Sequence, residues 1–411
     1  MSAPNETGTT SGGGGAPSRP LAGVKVLDLT RVLAGPFTTM LLSDLGADVL
    51  KVEMPGIGDD SRHFGPFKNG RSLYFVSINR GKRSITLNLK TEEGKKILRR
   101  LVADHDILVE NFRPGVMEKL GLGYDELRTI NPGLIYAVSS GYGHSGPDSA
   151  KPAYDILAQA EGGLMSVTGW PDQPPTRVGC SIGDIGAALF NTVGILAALN
   201  QRHLTGEGQK VDVAMLDAQV AILENALARY QVDGKSPEPL GNRHPTISPF
   251  QAYHASDDWI VVAIGNDALW QSFCTAVERN ALASDARFET NRKRTEHLEE
   301  LNAILEPLFA RRTVAEWSSL FARAGIPHSR INKIEQVLQN RQVRARNMVV
   351  TVEDAIAGTV SVAGNPIKMS GMDDPRTRPP IPELGEHTEN VLKTIGYTDD
   401  QIADLRRQGV V

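Results

Sequence analysis

Residues 179 to 190 read G-C-S-I-G-D-I-G-A-A-L-F, with one acid, Asp184, between two Ile-Gly pairs where an apolar helix should begin. Two roles fit that placement. Asp184 can be an N-cap, accepting hydrogen bonds from the first free amides of the helix. Alternatively, a carboxylate among small residues at an open helix N-terminus can be approached closely by a substrate. With a reference pKa of about 3.9 it is expected to be ionised at neutral pH, and it can attack an activated acyl group without a general base. The product would be a mixed anhydride, which demands a closed site and a donor that is already activated, of which a thioester is the obvious example. A thioester donor suggests coenzyme A, whose phosphates need cations. Arg80, Lys82, Arg83, Lys90, Arg113 and Lys119 fall near predicted strand ends or helix starts, and they fit a solvated surface equally well. Cys180 precedes Asp184 by four residues but has no histidine near it in sequence to activate a thiol.

The motifs that are missing narrow the chemistry. No GxGxxG follows a predicted strand, and neither GxxxxGK[ST] nor GxSxG occurs, so dinucleotide binding, P-loop phosphoryl transfer and α/β-hydrolase chemistry lose their usual warrants. Two cysteines, Cys180 and Cys274, build neither a disulfide framework nor a cysteine metal site, and the nine histidines include no HExxH. A net charge of −4 gives no general pull toward nucleic acid or acidic membranes. No apolar run is expected to span a bilayer. Residues 1–20, MSAPNETGTTSGGGGAPSRP, read as a disordered tail rather than a targeting signal, and a cytoplasmic location is expected.

The elements that must position these residues alternate in type. VKVLDL (24 to 29), DVLKVE (48 to 53), SITLNL (84 to 89), DILVENF and LIYAVSSGYG read as strands, separated by helical stretches such as TEEGKKILRRLVADH, which Thr91 is placed to cap. Strand, helix, strand at this spacing predicts an α/β fold with a parallel sheet, whose ligands lie at the turns after the strands. Two long helices follow, from about 184 to 204 and from about 214 to 231. A Pro/Gly-rich segment, 232–249, reads as a linker with a functional loop or as a plain surface loop. Hairpins are predicted in FQAYHASDDWIVVAIG and VVTVEDAIAGTVSVAG, the first opening a smaller second domain. The closing helices are too short to fold alone and should dock on the first domain.

Several stretches together carry a family resemblance. LAGVKVLDLTRVLAGPFTTMLLSDLGADVLKVE, NRGKRSITLNL, ENFRPGVMEKLGLGYDEL, ILAALNQRHLTGEGQKVDVAMLDA and LGEHTENVL resemble the class III coenzyme A transferases, among them the formyl-CoA:oxalate and carnitine enzymes. The resemblance runs from Leu21 to the C-terminus. It implies an interlocked homodimer with a Rossmann-like large domain (21–231, completed by 365–411), a linker and active-site loop (232–249) and a smaller α+β domain (250–364). It also implies that Asp184 forms an acyl-aspartyl anhydride and then an aspartyl-CoA thioester. Coenzyme A thioesters are then substrates, with no tightly bound cofactor. Contacts to coenzyme A are expected at Val32, Leu33, Ala34, Leu87, Lys90, Asn111, Phe112 and Lys119, with Tyr154 beside the nucleophile.

The departures from the oxalate enzymes are informative. Leu33 stands where they carry glutamine, Met54 and Lys119 where they carry arginines, and Gly241-Asn242-Arg243-His244-Pro245 replaces their run of glycines. The RVLAGP, GDDSRHFGP and GNRHP segments look more like the branch that uses succinyl-CoA and dicarboxylates. Gly241, Asn242, Arg243 and His244, with Ser248 nearby, are the candidates for binding the acceptor acid, and Arg31 is held in reserve. Two other readings stay open. The same fold serves α-methylacyl-CoA racemases, whose histidine position is Tyr154 here; a phenol with a pKa near 10 is a poor base, so His144 or His244 would have to replace it. The third reading is a non-catalytic α/β protein that binds acyl-CoA.

Overall fold

The computed structural model describes residues 19–411, and all but the last two residues of the expected N-terminal tail lie outside them. A six-stranded sheet organises the larger part of the chain. Its strands are β1 (Lys25–Asp28), β2 (Asp48–Glu53), β3 (Arg83–Thr86), β4 (Ile107–Glu110), β5 (Ile135–Ser140) and β6 (Lys210–Ala214). All neighbours are parallel, in the order β3-β2-β1-β4-β5-β6. Strands buried on both faces are largely apolar, and every residue of β4 and β5 is buried, with polar side chains only at their C-terminal ends, Glu110, Ser139 and Ser140. The chain runs outward from β1 in one direction and from β4 in the other, which opens a crevice beyond their C-terminal ends. Arg31 and Asn111 close its floor reciprocally: the Arg31 amide donates to Asn111 Oδ1 at 2.8 Å, and Asn111 Nδ2 donates to the Arg31 carbonyl at 2.7 Å.

One strand is missing from the sequence reading, and two expectations about elements need correction. KVDVA, between the two predicted helices, is strand β6; its alternating Lys and Asp hid the pattern. The second long helix is two, Met215–Ile222 and Asn225–Asp233, broken at Glu224, whose φ of 22° no helix accommodates. The helix Ile182–Thr205 is, by length and composition, long and apolar enough to cross a bilayer, with half of its most apolar window buried in the protein. Gly183, Gly186, Ala187 and Ala188 lie on its buried face. Its other face leaves Leu189, Phe190 and Val193 exposed.

The closing helices dock on the sheet, as the sequence requires. Val391, Leu392, Ile402 and Leu405 share one core with Leu27, Leu50, Ile85 and Tyr136. Thr388 Oγ1 accepts from the Thr86 amide at 3.0 Å and the His387 amide donates to the Ser84 carbonyl at 2.9 Å, which covers the edge strand β3.

Contacts divide the described residues into two units. The first takes residues up to Ala158, Ser181–Ala218 and Gln342–Val411; the second takes Gln159–Cys180 and Gln219–Arg341. These bounds differ from those drawn on the sequence. The hairpin Val349–Asp354 and Gly358–Ala363, placed there in the small domain, packs its Val350, Val352 and Val360 against Phe75 and Val76 of the first unit. The second unit is α+β: Phe250–His254, Trp259–Ala263 and His328–Arg330 form an antiparallel sheet over an aromatic core, in which Tyr253 and Phe309 stack at 4.4 Å.

Candidate active site

Asp184 is the third residue of the helix Ile182–Thr205, whose N-cap is Ser181. It is therefore not the cap. That task falls to Asp155, a buried carboxylate from 28 residues upstream, whose Oδ1 accepts the Gly183 amide at 2.8 Å. Gly183 allows this approach, since a Cβ there would stand 3.0 Å from the same oxygen. Among the described residues Asp184's own carboxylate accepts no hydrogen bond, and it faces a cavity. Burial first, and the nearby charge of Asp155 second, push its pKa up to about 7. The carboxylate expected to be fully ionised at neutral pH is thus poised between its two forms.

The cavity has a volume of about 640 Å³ and is lined by the first unit: Arg31, Val32, Leu33, Ala34, Asn111, Phe112, Ser139, Tyr154 and Asp184 are in its wall, with the cations Arg113 and Lys151. A second cavity of about 420 Å³ lies over the ends of β1, β2 and β3, lined by Leu29, Thr30, Met54, Ile57, Leu87 and Lys90 among others. Arg31, Phe112 and Val116 belong to both walls, so the two spaces adjoin. Of the residues expected to contact coenzyme A, Val32, Leu33, Ala34, Asn111, Phe112 and Tyr154 line the first, and Leu87, Lys90 and again Phe112 the second. Lys119 is exposed on the short helix Val116–Lys119 and lines neither.

Three other candidate cations are committed elsewhere. Lys82 is buried, bonded to Asp28 Oδ2 at 3.0 Å, Asn79 Oδ1 at 2.8 Å and the Pro36 carbonyl. Arg80 pairs with Asp44 at 2.7 Å, and Arg83 with Asp48 at 2.6 Å. Gly241 to His244 belong to the second unit. Gly241 has φ 66° and lies against Trp170, while Asn242 Oδ1 accepts the Ala252 amide at 3.1 Å. Arg243 lines a cavity of about 390 Å³ beside residues 295 to 302. His244 packs its ring on Phe250, and its Nδ1 accepts the Thr246 amide at 3.2 Å. Ser248 is buried, its carbonyl taken by Arg294 Nε at 2.7 Å. His144, in the first unit, does not line the Asp184 cavity. His144 instead contacts Lys210 Nζ through Nδ1 at 3.0 Å, and burial holds its pKa below the usual histidine value.

Sequence reasoning missed a positioning network. Val32, a β-branched residue, adopts φ 68°, a region that side chains of its shape avoid. Its amide donates to Asp59 Oδ1 at 3.1 Å. Asp59 in turn pairs with the fully buried Lys51 at 2.8 Å, and Lys51 Nζ also donates to the Thr30 carbonyl at 2.7 Å. Burial alone would raise the Asp59 pKa, but Lys51 and the donated hydrogen bonds hold it at about 2. The network clamps both sides of Arg31, where the two cavities meet. Its only local signal was GDD at 58–60, and nothing there indicates a reach of 27 residues. Tyr74, also unforeseen, stacks edge-on against Phe64 of the cavity wall at 6.2 Å. Burial, then the charges of Asp184, Asp59 and Asp155, push its pKa up to about 12, so it stays a neutral phenol. Among the described residues no His, Cys, Asp or Glu side chains are grouped as metal ligands.

Comparison with known proteins adds the following. The profile described as CoA-transferase family III matches residues 21–388. The acetyl-CoA:oxalate CoA-transferase of Acetobacter aceti is 44% identical over 90% of this chain and 94% of its own length. The human succinyl-CoA:glutarate CoA-transferase is 40% identical over 96% of this chain and 90% of its own. Among solved structures, a CAIB/BAIF family protein from Brucella suis superposes with a TM-score of 0.81 at 38% identity, covering 92% of this chain and all of that one. Rv3272 from M. tuberculosis gives a TM-score of 0.82 at 34% identity, covering 91% of this chain and 99% of that one.

Proposed function

Since the chain belongs to the CoA-transferase family III and is an enzyme of that type, acting on an acyl-CoA donor and a carboxylic acid acceptor, we propose that Asp184 is its nucleophile, the acceptor a small dicarboxylate and the donor succinyl-CoA. One observation carries the assignment: Asp155 satisfies the helix terminus, which leaves the Asp184 carboxylate facing the cavity. An Asp184 oxygen attacks the thioester carbonyl, the C–S bond breaks, and coenzyme A leaves as thiolate. The thiolate then attacks the side-chain carbonyl of the resulting anhydride, releasing the donor acid and leaving an aspartyl-CoA thioester. The acceptor carboxylate repeats the two steps in reverse order. One thioester is broken and one made, so the exchange runs near energy neutrality without ATP.

The relatives' names support a diacid: they specify oxalate, glutarate, citramalate and mesaconate. The far carboxylate of such an acceptor needs a cation. Arg31, at the junction of the two cavities, is our choice within the first unit, with Arg243 as its rival. The proton-exchanging racemase reading loses ground because His144, the candidate histidine of the first unit, does not line the Asp184 cavity. We also propose a homodimer, in which a second copy covers Leu189, Phe190 and Val193 on the helix that carries Asp184. The test is incubation of the purified chain with succinyl-CoA and a pool of mono- and dicarboxylates, with mass spectrometry of every CoA ester. New diacyl esters, lost in Asp184→Asn, are expected; esters still formed by Asp184→Asn would overturn the assignment.

A further inference from the structure

A small recess of about 90 Å³ opens at the far end of the helix Ala34–Asp44, lined by Arg19, Ser43, Asp44, Arg80, Gly81 and Arg378 among others. It shares no lining residue with the two adjoining cavities at Asp184 and Lys90. Arg80 and Arg378 are 3% and 6% exposed, yet the buried Nε–H of each has no hydrogen-bond partner among the described residues. Buried donors are almost always satisfied, so two in one recess call for an acceptor. The charges point the same way. Asp44 answers Arg80, Asp374 answers both Lys368 and Arg378, and Arg19 has no ion-pair partner among the described residues. Arg19, Arg80 and Arg378 line the recess with Asp44, and Asp374 reaches Arg378 from outside that lining, which leaves a surplus of one positive charge. Burial, together with the like charge of Arg378, lowers the Arg80 pKa despite the Asp44 pair.

The end of a helix normally repels anions through its free carbonyls. Here they are occupied: Leu41 O accepts from the Leu45 amide, Leu42 O from Ala47 and Ser43 O from Gly46, at 3.1, 3.0 and 2.9 Å. We propose that this recess is a binding site for one phosphate- or sulfate-sized oxyanion, held by the guanidinium groups of Arg80 and Arg378, whose buried Nε–H groups have no other partner among the described residues, and covered by Arg19. A water would satisfy the donors but not the charge. The ion would tie the helix Ala34–Asp44, the turn at Gly81 and the segment at Arg378 together, at the opposite end of that helix from the Asp184 cavity.

The test is calorimetric titration of the full chain with inorganic phosphate, and separately sulfate, after saturation with coenzyme A so that the acyl-CoA cavities are filled. Saturable binding of one ion is expected, with roughly tenfold or greater weakening in Arg19→Glu, which places a carboxylate over the recess without disturbing the core. Arg378→Gln should weaken it too, but that change leaves Asp374 with one partner fewer, so Arg19→Glu decides. No saturable binding once coenzyme A is bound would overturn the proposal. So would an unchanged affinity in Arg19→Glu, or crystals grown with selenate that show anomalous density only elsewhere.

Discussion

Asp155 accepts the Gly183 amide at 2.8 Å and, from that position, adds its charge to the burial that raises the pKa of Asp184 one residue further along the helix. One carboxylate thus does the capping and also tunes the other. An acid held protonated until about pH 7 is a weaker nucleophile below that pH, while desolvation makes its ionised form more reactive above it.

This sets the pH dependence. kcat/KM should rise with pH through about 7 and then level, as Asp184 ionises. Asp155→Asn keeps an acceptor for Gly183 and removes the charge, so the rising limb should move to lower pH. A limb that stays in place would separate Asp155 from the titration.

The same shift has a cost in stability. The folded pKa of Asp184 lies above its unfolded value, so the unfolded chain binds fewer protons between about pH 4 and 7, and stability falls as pH rises through that window. Asp184→Asn should therefore melt higher than wild type at pH 8 and close to it at pH 4. Thermal denaturation at the two values checks this, and an equal difference at both would refute the linkage.

Loss of the nucleophile should be nearly complete. Asp184→Ala and Asp184→Asn are expected to reduce CoA transfer by about 10³-fold or more with near-native circular dichroism. Intact-mass spectrometry of wild type mixed with donor should show a covalent CoA adduct that both variants lack.

Asp59→Ala tests the clamp on Val32, because it removes the Oδ1 that accepts the Val32 amide. It leaves the buried Lys51 without its ion-pair partner, which costs about 3–5 kcal/mol in comparable sites. It also frees the strained Val32 amide, so KM for the acyl-CoA should rise while kcat changes little. Destabilisation with an unchanged KM would reduce the network to a purely structural role.

Arg31→Ala and Arg243→Ala compete for the far carboxylate of the acceptor. The variant that loses kcat/KM for diacids more than for monoacids identifies the clamp. Equal losses for both acid classes in both variants would remove either arginine from that role.

Residue order by itself determined the elements whose cause is local. Five of the six parallel strands, the two predicted antiparallel hairpins and the helix that carries Asp184 follow from apolar runs and turn residues a few positions apart, and the docking of the closing helices from their being too short to stand alone. The family, too, was legible in short motifs. Tertiary structure decided what depends on partners far along the chain: that Asp155 and not Asp184 caps the helix, that Asp59 reaches 27 residues back to hold Val32, and that Lys82 and Arg80 spend their charges on Asp28 and Asp44. Strand β6 and the break at Glu224 escaped for a related reason, since pairing with β5 and a φ of 22° are imposed by surroundings and not by propensity. A side chain's charge is written in the sequence. Whether that charge is spent on a neighbour or left facing a cavity is set by which distant segments the fold packs against it.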